Sequence, residues 1–308
     1  MRNVKRGWSA ADIGDLSGKL AIVTGGNSGI GFHTALELGR KGAHVIIACR
    51  DPKRGQEALE KLSAAGPGAT FELEALDLAS FASVRAFAQR FLARKVPLDL
   101  LVNNAGVMAI PRRETTEDGF ERQFGTNHLG HFALTGVLLP ALRQAKSPRV
   151  VSVSSGLAAM GKIDPANLQS ERRYAPGGAY SSSKLANLFF MTELGQRAPW
   201  LLSVASHPGV ARSNLAKEHG TAFTSFMSRL LGQEADAGAL PSLYAATGEV
   251  KSGEYFGPSK LFHLNGPPVE VAMPKRAHDA AGARKLWEDS ERLTGVTYAF
   301  DHLQRMSA

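Results

Sequence analysis

The chain reads as an α/β protein, a doubly wound parallel sheet of about seven strands with helices on both faces. Two observations predict it. Short, nearly continuous apolar runs alternate with helix-length stretches through the first two thirds of the chain, as strands buried on both faces do. A glycine-rich turn directly follows the first of these runs, where such a sheet binds a ligand at the carboxyl ends of its strands. No composition break, linker or internal repeat divides the 308 residues, so residues 1–308 are expected to form one domain.

The strand candidates, in order, are residues 19–24, 43–49, 70–76, 98–103, 149–154 and 201–206, each short, apolar and followed by a helix-length stretch. A seventh, residues 253–256, follows a helix expected over residues 233–247. Two stretches depart from this rhythm and mark the substrate side. Residues 156–178 carry Pro and Gly and are too long for a routine connection, which points to a functional loop. Within residues 214–232, Phe223, Phe226, Met227, Leu230 and Leu231 make an apolar stripe on one helix face, read either as a lid over an apolar pocket or as packing on the core.

Composition excludes several function classes. Lys and Arg exceed Asp and Glu by 36 − 28 = 8, but the basic residues are scattered and lack interleaved aromatics, so a nucleic-acid partner is not expected. The single cysteine, Cys49, cannot form an internal disulfide and suits a reducing compartment. No apolar run approaches the roughly 20 residues that span a bilayer, and the first residues lack an apolar signal core. A soluble, cytoplasmic protein without a membrane anchor is expected.

Gly25, Gly29 and Gly31 follow a strand and precede a helical pattern. Glycine there permits a tight turn and close backbone approach to a pyrophosphate, which then sits at the positive helix end. The second strand ends Cys49-Arg50-Asp51, with Arg50 just beyond the place where an acidic residue would hold a ribose hydroxyl. A guanidinium there favours a 2′-phosphate, hence NADP(H); NAD(H) is the lesser alternative, with Asp51 shifted back to hold the ribose. Asp77, ending the third strand, either accepts from an adenine amino group or caps the next helix. Tyr180 and Lys184, four apart in a helical stretch, share one face, so that an ammonium beside the phenol would favour its ionised form and make an acid/base pair. His128 and His131 are three apart but have no carboxylate or third ligand with them, so no metal is expected.

With these residues in view the chain resembles the short-chain dehydrogenase/reductase family over nearly its whole length. The resemblance rests on Thr24 to Gly31, Asn103-Asn-Ala-Gly106, Tyr180 with Lys184, and His207-Pro208-Gly209. Within the family it is most similar to the retinol dehydrogenase-like and WW-domain oxidoreductase-like branch, through Ala48 to Asp51, Asn127 to Phe132, Ser181 to Asn187 and Leu286 to Gly295. Having neither a membrane anchor nor a WW domain, it would be a soluble form.

The resemblance implies a Rossmann-type fold and the catalytic set Asn127, Ser155, Tyr180 and Lys184, with Ser154 packed or bonded to backbone and Asn127 fixing a water that returns protons to Lys184. It implies cofactor contacts from Gly25, Asn27, Ser28, Gly29, Ile30, Gly31, Arg50, Asp77, Leu78, Asn104, Ala105, Gly106, Tyr180, Lys184, Pro208, Gly209 and Val210. The expected reaction moves a hydride between the nicotinamide and a carbonyl or alcohol, with Tyr180 as acid/base. Apolar residues near the expected mouth, Met108, Leu157, Phe223, Phe226 and Met227 among them, suggest a bulky hydrophobic aldehyde, ketone or alcohol. Family members commonly form homodimers or homotetramers through helices that here fall around residues 120–139 and 180–194. Rival readings are an NADP-binding regulatory protein without turnover and a light-dependent pigment reductase.

Overall fold

The computed structural model describes residues 4–5, 7–209, 234–261 and 263–300. Among them the chain runs β1 (Leu20–Thr24), α1 (Gly29–Arg40), β2 (His44–Cys49), α2 (Pro52–Ala65), β3 (Thr70–Ala75), α3 (Phe81–Leu92) and β4 (Leu100–Asn103). A short helical turn, α4 (Arg122–Phe124), leads through a π-helical turn at Gly125–Leu129 into α5 (Gly130–Val137) and α6 (Leu139–Gln144). Then come β5 (Arg149–Val153), α7 (Pro176–Arg197), β6 (Leu202–Ser206), α8 (Ala235–Thr247), β7 (Tyr255–Lys260), β8 (Asn265–Glu270) and α9 (Ala280–Thr294).

The strands make one eight-stranded sheet in the order β3-β2-β1-β4-β5-β6-β7-β8, parallel except for the antiparallel β7–β8 pair. The chain winds outward from β1 to β3 and then returns to place β4 against β1, which opens a crevice at the carboxyl ends of these two strands. The inner strands are largely apolar because both faces are covered. Ile22, Ile46, Leu101 and Val150 pack under α3, α5, α7 and α9, whereas Val23, Val45, Val102 and Val151 pack under α1, α2 and α8. Strand β3 lies at the edge and differs. Phe71 and Leu73 face the core while Glu72 and Glu74 pair with Arg94 on the other side.

Strand β8 is an addition to the seven expected. Its sequence, Asn-Gly-Pro-Pro-Val-Glu, reads as a turn because proline cannot donate to a ladder. Among the described residues no strand lies beyond this outer, antiparallel strand, and an edge strand tolerates residues without an N–H. Helix starts follow local capping. Asp51 accepts from Arg54 N at 3.0 Å with Pro52 in the first turn of α2, and Asp279 accepts from Gly282 N at 2.9 Å to start α9.

The helices on which a homodimer or homotetramer is expected to assemble are largely inside the chain. Helix α9 packs on α7 and α5, with Trp287 stacked on Phe190 at 5.9 Å and edge-on to Phe132 at 5.0 Å. Tyr298, just beyond α9, donates its hydroxyl to Phe132 O at 2.6 Å.

Candidate active site

The glycine turn sits at the β1–β4 crevice. Gly25 (φ +65°) and Gly29 (φ +54°) adopt left-handed backbone that favours glycine. A Cβ on Gly31 would lie 2.4 Å from Gly25 O and 2.5 Å from Asn104 Nδ2, so α1 meets the turn and the Asn104 side chain with no room for a side chain of its own. Thr24 ties the strands together. Its Oγ1 accepts from Asn104 N at 2.9 Å and Ala105 N at 3.0 Å, and its carbonyl accepts from Asn104 Nδ2 at 2.7 Å. Ser28 makes no side-chain bond to the first turn of α1, leaving the amides of that turn open toward the cleft.

Gly25, Asn27, Ser28, Gly29, Ile30, Gly31, Arg50, Asp77, Leu78, Asn104, Ala105, Gly106, Tyr180, Lys184 and Pro208 all line this one cleft. Gly209 adjoins it after Pro208 in left-handed backbone (φ +67°), where a Cβ would strike Leu264 O at 2.3 Å. Val210 lies outside the described residues. A dinucleotide fits such a site: backbone amides at a helix N-terminus suit a pyrophosphate, and a trough walled by glycine admits an extended ligand.

At the β2 end Arg50 is exposed and Arg54, which sequence reasoning overlooked, also lines the cleft. Asp51 lines the cleft as well, while its Oδ1 accepts from Arg54 N at 3.0 Å to cap α2. Cys49 is buried, and burial pushes its thiol up. Asp77 does not cap α3, a role Ser80 takes. It accepts from Ala79 N at 2.9 Å within its own turn and stays on the cleft wall.

Helix α7 brings Tyr180 and Lys184 to the other end of the cleft, both buried, with Lys184 Nζ 5.8 Å from the centre of the Tyr180 ring. Burial brings the ammonium down to about 8, and Nζ donates to Val153 O at 3.0 Å. The phenol differs from the expectation. Burial raises it above its ordinary value, and a hydrogen bond with Ser155, not Lys184, is what opposes the rise. Ser155 is half-buried at the end of β5 and also accepts from Leu157 N at 3.2 Å. Ser154 donates to Lys184 O at 2.8 Å, bonded to backbone as expected. Tyr255 on β7, not anticipated, donates to Ser155 O at 3.3 Å, 100 residues away in sequence.

Asn127 lies in the π-helical turn, fully buried behind Gly106. Its amide hydrogens go to Val107 O at 2.9 Å and Ser183 Oγ at 3.0 Å, and its Oδ1 accepts from Val107 N at 2.8 Å. Both amide hydrogens of Asn127 are thus taken up within the chain. His128 and His131 are both buried, pushed down by burial to about 3 and about 4, and bonded to Ser290 and Thr24 respectively. Among the described residues no group of acidic, His or Cys side chains could hold a metal.

On the substrate side Met108 is half-buried and Leu157 is 45% exposed, neither on the dinucleotide cleft wall. Phe223, Phe226 and Met227, with the stretch 214–232, lie outside the described residues. The 156–178 segment is tied down along its length. Gly161 O accepts from Arg276, Tyr174 donates to Ile110 O at 2.7 Å, and Gln169 accepts from Glu121 N at 2.8 Å.

A glycine-walled trough at a central crossover, ending on a buried Tyr-Lys pair, defines an α/β nicotinamide-dependent enzyme acting on alcohols and carbonyls. The short chain dehydrogenase profile matches residues 19–221. Retinol dehydrogenase 14 of Mus musculus is 41% identical over 95% of this chain and 90% of its own length. Retinol dehydrogenase 12 of Homo sapiens is 40% identical over 92% and 88%. Among solved structures, an uncharacterized protein from Mycobacterium paratuberculosis superposes with a TM-score of 0.81 at 41% identity, covering 95% of this chain and 99% of that one. A short chain dehydrogenase from Shigella flexneri, solved with NADP, shares the fold with a TM-score of 0.62 at 23% identity, covering 78% and 96%. The chain belongs to the short-chain dehydrogenase/reductase family and resembles its retinol dehydrogenases. It is an oxidoreductase of CH–OH and C=O groups.

Proposed function

We propose that the chain is an NADP(H)-dependent carbonyl reductase and alcohol dehydrogenase for bulky hydrophobic aldehydes, ketones or alcohols. The observation that carries the reading is the single trough that holds Arg50 and Arg54 at one end and Tyr180 with Lys184 at the other. Bound there, the nicotinamide cofactor supplies or accepts the hydride. The rest is the work of the chain. Arg50 and Arg54 hold the 2′-phosphate, and the open amides at the start of α1 hold the pyrophosphate. Ser155 and Tyr180 hydroxyls hold the substrate oxygen, and Tyr180 gives up or takes its proton. Lys184, fixed by Val153 O, holds the ribose and keeps a positive charge behind the phenol. Asn127 holds the loop after Gly106 in register with α7 through Val107 and Ser183.

The substrate class is supported by the relatives named for retinol, a long apolar alcohol, and by the apolar Val107, which lines the trough. Turnover of all-trans-retinal, decanal and acetophenone with NADPH, and of the matching alcohols with NADP⁺, tests the reading. Reduction of at least one apolar carbonyl is expected, and none across the panel with either NADPH or NADH would overturn it. Arg50→Glu is expected to weaken NADPH binding about tenfold or more while leaving NADH within about threefold, the signature of a lost charge-assisted phosphate contact.

A further inference from the structure

His131 is a buried histidine to which the reaction above gives no role. It stands on α5 between two parts of the site. Its Nε2 is 2.9 Å from Thr24 Oγ1, at the end of β1 beside the dinucleotide turn, and its Nδ1 is 3.0 Å from Asn127 O, in the π-helical turn. The direction of each bond follows from its partners. A carbonyl only accepts, so Nδ1 carries the hydrogen, and Nε2 is left to accept. Thr24 Oγ1 already accepts the amides of Asn104 and Ala105, which leaves its own hydrogen to donate. That hydrogen points to His131 rather than to the more distant Val102 O at 3.3 Å.

The relay continues past Asn127. The Asn127 amide bonds Ser183 Oγ at 3.0 Å, and Ser183 donates to Tyr180 O at 2.7 Å. One unbroken path of hydrogen bonds therefore joins the β1 turn and the Asn104-Ala105 loop to the helix that carries Tyr180. Single π-helical turns are rare and are frequently found at functional sites.

We propose that His131 is a positioning residue for the reaction. It transmits the state of the dinucleotide turn, through Thr24, to the π-helical turn of Asn127 and so to the register of Tyr180. The proposal rests on the assignment of Tyr180 and Asn127 to the active site, and a readout independent of turnover keeps the two separable.

Hydrogen–deuterium exchange is measured with and without NADPH on the wild type, His131→Leu, which removes both bonds, and His131→Gln, which keeps a donor and an acceptor. NADPH is expected to protect residues 125–131 in the wild type and in His131→Gln but not in His131→Leu. With all-trans-retinal, kcat of His131→Leu is expected to fall about tenfold or more while the glutamine variant recovers most of it, since small misplacements are costly in a positioned site. His128→Leu, the same loss of a buried histidine one turn earlier, is expected to lower stability and leave kcat in place.

Equal NADPH-induced protection of residues 125–131 in wild type and His131→Leu would overturn the proposal, even with full turnover. Absent turnover with the protection pattern intact would instead count against the proposed reaction alone. Should His131→Leu not fold, Thr24→Ser against Thr24→Val, which keep and remove the hydroxyl at the other end, gives the same comparison with the same two outcomes.

Discussion

Tyr180 and Lys184 are both driven toward neutrality by burial, the phenol upward and the ammonium down to about 8. Lys184 stays protonated at neutral pH, and its charge is worth more to a developing phenolate in this dry setting than it would be in water. Removal of the phenol oxygen by Tyr180→Phe is expected to lower kcat by about 10²–10⁴, the usual contribution of a positioned acid/base, with NADPH affinity within about threefold of wild type. Steady-state rates and a fluorescence titration of NADPH check it, and a kcat within threefold of wild type would remove Tyr180 from the chemistry. Tyr180 and Lys184 were legible because one helix fixes their relation. The partners that hold the site together were not. Tyr255 reaches Ser155 across 100 residues of sequence and Thr24 reaches His131 across 107, and no local pattern records such pairs. Arg54 went unnoticed for a different reason, since an arginine in the first turn of a solvated helix reads as ordinary surface.

The turn between β1 and α1 shows how an element can be specified by what it lacks. Gly31→Ala places a methyl 2.4 Å from the Gly25 carbonyl and 2.5 Å from the Asn104 amide, and the nearer obstacle is backbone. The strain is expected to cost about 1–3 kcal/mol of stability, as overpacking does, and NADPH binding is expected to weaken at least tenfold. Calorimetry of the variant with NADPH checks both, and unaltered affinity would mean that the turn does not cradle the dinucleotide. Strands β1, β2, β4, β5 and β6 were readable because a strand covered on both faces is largely apolar, and the observed ends of β1 to β6 fall within a residue or two of those expected. Strand β8 was not, because prolines that argue against a central strand are harmless on an outer one. The π-helical turn at Gly125–Leu129 also escapes a sequence reading, since one extra residue in a turn barely disturbs a helical period.

At the scale of the whole molecule, covering both faces of the sheet has left several histidines inside. His128, His131 and His207 are pushed down by burial to about 3, about 4 and about 4, from an ordinary value of 6.5. Each is neutral in the folded chain and free to protonate once unfolded, so below pH 6.5 the unfolded state binds more protons and stability falls with pH. The loss continues until the folded values are reached. Each histidine contributes about 1.4 kcal/mol per pH unit in that window, and three together about 4 kcal/mol per unit. Glu121 works against them, because burial raises its carboxyl and the folded form gains that proton first. Asp12, Asp15 and Glu72 are lowered and release their stabilisation only at more acid pH. A domain stable by about 5–15 kcal/mol is therefore expected to unfold within a few pH units below 6.5. Urea unfolding at pH 7, 6 and 5 should show a midpoint that drops steeply, and His128→Leu should remove about a third of that slope while lowering stability at pH 7. A midpoint flat between pH 7 and 5 would mean that these histidines can protonate without unfolding, and that the interior around the π-helical turn is open to water.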